Sequence, residues 1–434
     1  MYAQIVQLDP DNVGALRQMA QLYKKAGNFQ QYGTTLTRAL DVALGDVEQK
    51  EILNEIGELL EQQMKDENQA VSYYKRALQV DGHFLPALEN LERIYSQRGE
   101  NRELVDILLR KAPALTVVSD VVTTKIRIGG LYESQVPDPP RAATTYAEVL
   151  QLDPQNLQAM RGLARSYERL EKWPELISTL ESELEVVTND SDRIVVLMHL
   201  ATLQEEKFLK AELAAERLEQ LLEIDPNHED AYFSIERNYR KMRSWESLIG
   251  AYERHISATL DKSTKVDLYG HIAGVYADEI DDADRAIDAY RNIVDLDENH
   301  VPALEALAKL YDKQGDAPQA VDYMTRVAEL TVDGKQKVES YYRIGKVLDE
   351  KLGDRVSAQD KYELALDLDP SHIPTLQALR AISLDNADYD KAARYIDQEQ
   401  SYTPAPRQRA RLLVELGRLR EEMLQDHEAA VMAW

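Results

Sequence analysis

The chain has 434 residues, of which none is cysteine, four are Phe and three are Trp. Without cysteine there is no disulfide, no thiolate-held metal and no cysteine nucleophile. That suits a reducing cytoplasm, the compartment favoured here, and is compatible with a periplasmic one. No apolar run approaches the ~18–20 residues that a membrane-spanning helix requires, so no membrane span is expected. Basic residues are scarce: 51 Lys and Arg stand against 77 Asp and Glu, a formal net charge of −26. Nucleic-acid binding rests on neutralising phosphates with Lys and Arg, so this balance argues against RNA or DNA as a partner. Gly-rich phosphate loops, zinc-protease His-Glu pairs and Ser-His-Asp arrangements are also missing. No enzyme activity, cofactor or metal is expected.

What is present is a repeat. Asp closes an apolar helix-like run at Asp9, Asp81, Asp153, Asp225, Asp297 and Asp369, each 72 residues after the last (81 − 9 = 72). A fixed period of this length means a stacked repeat architecture. Within each period, apolar residues at helical spacing divide into two hairpins, so each period holds four helices. The predicted fold is all-α, with double repeats over about 9–80, 81–152, 153–224, 225–296, 297–368 and 369–434. The whole is expected to form one continuous array.

Three columns carry the packing code. One reads Ala70, Ala142, Ala214, Ala286, Ala358, Ala430, and a second Gly57, Gly129, Ala201, Ala273, Gly345, Gly417. A third is bulky: Tyr2, Tyr74, Tyr146, Leu218, Tyr290, Tyr362, Trp434. We expect the two small columns to face each other and let antiparallel helices approach closely. His228, His300 and His372 share a column with Asn12 and Asn156. Metal binding would require ligands converging on one ion, whereas these lie one period apart, so helix-start capping is expected. Trp173 and Trp245, in a column with Phe29 and Tyr389, are expected to wedge under a turn.

The second hairpin of each period resembles the tetratricopeptide repeat (TPR) family, with Leu53, Ile56-Gly57, Leu60, Ala70, Tyr74, Ala77 and Gly82 at its characteristic positions. Leu16, Met19-Ala20 and Tyr23 match in a first hairpin. Elsewhere Glu92, Glu236 and Arg380 fill the small position of that hairpin, and Leu104, Leu176 and Leu248 replace its facing Ala. The resemblance covers nearly the whole chain and is similar to long bacterial arrays of the family. It implies an α-solenoid, a right-handed superhelix of about twelve hairpins, acting as a non-catalytic scaffold that binds a partner protein in its concave groove.

The resemblance further implies that ligand contacts lie on the first helix of each hairpin, at positions four apart. Carried onto this chain, they point to Arg161, Arg165 and Arg169, then Phe233, Arg237, Arg240 and Lys241, with Tyr342 and Lys346 on a second hairpin. So many cations in an acidic chain suit an extended or helical partner segment that is acidic at the groove. Gly270 and Gly274 leave a bare strip where a peptide backbone can approach. The Lys and Asn pair with which some members clamp a C-terminal carboxylate has no counterpart.

The rival reading is a structural spacer or filament segment. Both ends fall within a helix, so the sequence reads as a piece of a longer chain. Stacking of Trp434 on Tyr2 of the next copy would give end-to-end self-association. One region is atypical. The β-branched stretch Thr116–Thr124 is poor in helix formers, and Gln135-Val136-Pro137-Asp138-Pro139-Pro140 is expected to form a rigid exposed loop.

Overall fold

The computed structural model describes residues 1–433; Trp434, and with it the expected end-to-end contact, lies outside the described residues. Among the described residues there are helices and no strands. The chain divides into two compact units, 1–224 and 225–434, and the division coincides with the boundary between the third and fourth periods.

The first unit opens with α1 (Tyr2–Leu8), α2 (Val13–Lys25), α3 (Phe29–Val42), α4 (Asp46–Gln62) and α5 (Glu67–Val80). Its next period holds α6 (Leu85–Arg98), α7 (Asn101–Lys111), α8 (Val118–Ser134) and α9 (Pro139–Leu152). It ends with α10 (Leu157–Arg169), α11 (Trp173–Val186), α12 (Asp190–Glu206) and α13 (Ala211–Ile224).

The second unit begins with α14 (Glu229–Met242), α15 (Trp245–Ala258), α16 (Lys262–Gly274) and α17 (Ala283–Leu296). There follow α18 (Val301–Gln314), α19 (Ala317–Leu330), α20 (Gly334–Val347) and α21 (Arg355–Leu368). The last four are α22 (Ile373–Asp385), α23 (Tyr389–Tyr402), α24 (Pro406–Glu422) and α25 (His427–Ala433). Wide-turn π segments, Val275–Ile280 and Leu348–Leu352, prolong α16 and α20.

From α2 to α25 the helices form twelve hairpins. First helices begin at 13, 85, 157, 229, 301 and 373, in steps of 72. Each helix packs chiefly on its neighbours in sequence, as expected where no repeat can bury its apolar face alone. The repeated Asp explains the constant spacing. Asp81, Asp225, Asp297 and Asp369 accept a hydrogen bond from the backbone N–H two residues on, at 2.9–3.1 Å. This fixes the turn into the next first helix. Asn12 and Asn156 then accept from the N–H three residues on, as do His228 and His300 through Nδ1. His372 also stands at a helix start, with Nδ1 2.7 Å from the Thr375 hydroxyl.

A second device recurs in the tight turns. Left-handed backbone occurs at Gly27, Gly99, Glu171, Arg243, Gly315 and Ala387, and again at Lys65, Leu209, Asp281, Gly353 and Gln425. Members of each set lie one or two periods apart. The missing member of the second set is Pro137, whose ring fixes a negative φ. The expected exposed loop there is short. Pro139 and Pro140 form the first turn of α9, capped by Asp138, a position where proline's missing N–H is no loss. The β-branched stretch does enter a helix, α8, with Val122 buried and Val117 and Val118 exposed.

The glycine column meets the bulky column directly. A Cβ on Gly57, Gly129 or Gly345 would lie 2.5–2.6 Å from the ring of Tyr74, Tyr146 or Tyr362. The glycine is thus the seat of the tyrosine ring. Where the seat is Ala201, the bulky column holds Leu218, a smaller fit. Trp173 and Trp245 are half-buried against neighbouring core residues, as wedges.

Candidate partner-binding site

Arg161, Arg165 and Arg169 follow one another at four-residue spacing on α10, and neighbouring helices occupy all three. Arg161 donates from Nε to Glu183 on α11 at 2.8 Å and from Nη2 to Asp192 on α12 at 2.7 Å. Arg165 grips Glu133 on α8 with two hydrogen bonds, at 2.9 and 3.0 Å. Arg169 donates to the Glu133 backbone carbonyl at 2.7 Å.

Glu133 also accepts from the Tyr146 hydroxyl at 2.7 Å. Burial acts to raise the Glu133 pKa, but the hydrogen bonds from Arg165 and Tyr146 outweigh it and hold the carboxyl below its ordinary range. The same tie stands one period earlier, where Tyr74 and Arg93 share Glu61. The bidentate fork of arginine suits a carboxylate held in this way. In the first unit, the arginines on this face join one hairpin to the next.

In the second unit, Phe233, Arg237, Arg240 and Lys241 lie on α14. Arg240 bonds Glu236 at 2.9 Å and reaches the Tyr252 hydroxyl at 3.4 Å, and Arg237 and Lys241 also interact with neighbouring groups. On α20, Tyr342 packs against Tyr362 and edge-on to His372, and Lys346 lies 3.8 Å from Glu350. Phe233 differs from these: it is 70% exposed.

Phe233 stands at a cleft of about 640 Å³ lined by residues of α14, α15, α16, α17 and α18. Its walls are Tyr232 and Phe233 from α14, Tyr252 and His255 from α15, Gly270 and His271 from α16, and Tyr290 and Ile293 from α17. The break in the packing code accounts for one wall. Ala273 fills the seat that is glycine under Tyr74, Tyr146 and Tyr362. Its methyl occupies the ring's place, so Tyr290 remains half-buried and faces the cleft. Gly270 adds room, since a Cβ there would meet nothing nearer than Ile293 at 4.0 Å.

His255 stacks flat on Tyr232, with ring centroids 3.9 Å apart. Burial lowers its pKa, against the opposing influence of Glu229, so the ring is neutral at pH 7. The lining includes Glu229, Glu236 and Asp267 and no Lys or Arg. Among the described residues no group of three His, Asp or Glu side chains is placed to hold a metal. No helix is long and apolar enough to cross a membrane.

The bare strip expected at Gly270 and the ligand position at Phe233 therefore belong to one cleft. Tyr232, Tyr252, His255 and Tyr290 were missed as site residues. The available signal was the coincidence of Ala273 with Tyr290 in columns that elsewhere pair Gly with Tyr.

Tetratricopeptide repeat family models match residues 87–117, 159–194 and 303–338, and 51–84 and 338–372. No curated protein matches the chain. Among solved structures, a chain of Naa15/Naa10 bound to HypK-THB is similar at 16% identity and a TM-score of 0.36. All of the present chain is covered in that match, which spans 64% of the other. YrrB, described as a TPR protein with an unusual peptide-binding site, is 18% identical over 46% of this chain and 96% of its own, with a TM-score of 0.28. MamA is 16% identical over 46% of this chain and 92% of its own, with a TM-score of 0.24. With matching stretches in both units and twelve helical hairpins in register with the period, the chain carries tetratricopeptide repeats.

Proposed function

We propose that this repeat protein is a non-catalytic scaffold whose second unit seats an extended or helical segment of a partner protein across α14 and α16, anchored in the Phe233 cleft. One observation carries the reading: an exposed phenylalanine beside a cleft of about 640 Å³ walled by tyrosine rings. Binding energy in interfaces concentrates in a few residues, tyrosine among the enriched types, and the volume falls in the range of ligand clefts, ~300–1,000 Å³. The arginines of α10 support this choice by contrast. Glu133, Glu183 and Asp192 already neutralise them, so an acidic segment placed there would have to displace existing ion pairs.

The test is a photo-crosslinking amino acid placed at Gly270 in full-length protein, with and without Phe233→Ala. A protein captured from native lysate at Gly270, and lost with Phe233→Ala, supports the reading. Capture unaffected by Phe233→Ala, or obtained from the α10 face instead, rejects it.

A further inference from the structure

We propose that the Phe233 cleft receives an arginine or lysine side chain carried by the partner segment. This rests on the cleft being the docking site. Its chemistry is one-sided. Three carboxylates, Glu229, Glu236 and Asp267, line it with no Lys or Arg among them. Glu236 is tied to Arg240, while Glu229 and Asp267 are exposed. An acidic occupant would be repelled, and a purely apolar one would leave the carboxylates without a role in recognition.

The rings supply the second half of the argument. Aromatic faces attract cations through their quadrupole, and a guanidinium or ammonium over such a face gains further when carboxylates stand nearby. This chain covers many of its own rings in that way. Lys207 lies over Trp173 at 4.8 Å, Lys50 over Phe84 at 5.1 Å and Arg285 over Tyr276 at 5.4 Å. Phe233 and Tyr290 line the cleft itself. A cationic side chain from outside would fit between them, its aliphatic stem along Ile293 and Phe233 and its charge toward the carboxylates. His255, held neutral by burial, does not compete for that charge at pH 7.

The test uses the full chain and four fluorescein-labelled nonapeptide pools, randomised except for a central Arg, Lys, Leu or Glu, read by fluorescence polarisation. The Arg or Lys pool is expected to bind about tenfold more tightly than the Leu and Glu pools. Reversing charge at two exposed sites, Glu229→Lys with Asp267→Lys, should abolish that preference while circular dichroism stays unchanged. Equal or tighter binding of the Leu or Glu pool overturns the inference, as does a cation preference that survives charge reversal. If the Leu pool binds best and Phe233→Ala removes its binding, the docking site stands and the cationic ligand falls. If no pool binds wild type better than Phe233→Ala, both fall.

Discussion

Tyr146 lies between two glycines from different helices. A Cβ at Gly129 on α8 would come within 2.6 Å of its ring, and one at Gly162 on α10 within 2.3 Å. Neither contact can be relieved by rotating the far end of a flexible side chain, because the ring is itself fully buried and its hydroxyl is bonded to Glu133. Gly129→Ala and Gly162→Ala should each destabilise the protein by about 1–3 kcal/mol, the usual cost of overpacking. Gly274 is the control. An added Cβ would meet nothing within 4 Å, so Gly274→Ala should stabilise α16 by up to ~1 kcal/mol through helix propensity. Thermal melts of the three variants check both signs together. The tight turns allow a second residue-scale prediction. Leu209 has φ +55° and is 82% exposed, a left-handed backbone that costs an L-residue ~1–2 kcal/mol. Leu209→Gly should therefore raise the melting temperature, by an amount reduced by glycine's greater freedom in the unfolded chain. A lower melting temperature would mean that the Leu209 side chain makes contacts that outweigh its strained backbone.

Between elements, the Tyr–Glu–Arg tie does what the helices alone cannot: it links the second hairpin of one period to the first hairpin of the next. Arg165→Ala would leave the Glu133 carboxylate, 12% exposed as a side chain, with only the Tyr146 hydroxyl. The expected cost is about 1–3 kcal/mol, as for lost hydrogen bonds to a charged group. The tie also has a pH signature. The folded pKa of Glu133 is below its ordinary value of 4.5, so the stability it contributes is complete above that value and is lost as pH falls through the folded pKa. Glu133→Gln should flatten the acid side of the stability curve below about pH 4.5 while leaving its shape near pH 7 unchanged. Unaltered acid sensitivity in urea titrations would reject the assignment. Much of this was legible in the sequence. The period, the helix starts and the capping column were read from spacing alone, because each is a local property of the chain. Glu61 with Arg93 and Glu133 with Arg165 are both 32 residues apart and separated by one period, so the pairing was visible too. It was passed over because the alternatives weighed for these arginines were an outside partner, a pairing within the same helix, or solvent. The cleft was less legible, since it depends on where one ring goes when its glycine seat becomes Ala273, a question of packing that no residue pattern states.

Across the whole chain the two units differ in how fully the tie is built. In the first, Tyr74–Glu61–Arg93 and Tyr146–Glu133–Arg165 are complete. In the second, the same columns read Tyr290, Ala277, Lys309 and Tyr362, Asp349, Ala381, so neither set has both Glu and Arg. That unit also holds the open cleft, which leaves Tyr290 only half-buried. Repeat arrays gain stability from nearest-neighbour interfaces, and long ones lose all-or-none cooperativity when those interfaces are unequal. Binding surfaces are also drawn from the less stable parts of a fold. Both arguments predict that the second unit unfolds first. Trp173 and Trp245 are half-buried reporters, one in each unit. With Trp434→Phe as background and excitation selective for tryptophan, Trp245→Phe leaves Trp173 as the only tryptophan and Trp173→Phe leaves Trp245. The Trp245 signal should change at a lower urea concentration than the Trp173 signal. Coincident transitions would show that the array folds as one cooperative body in which the missing ties carry no weight. The reverse order would place the weaker half on the side where the arginines are paired, and would remove the link between low stability and the cleft.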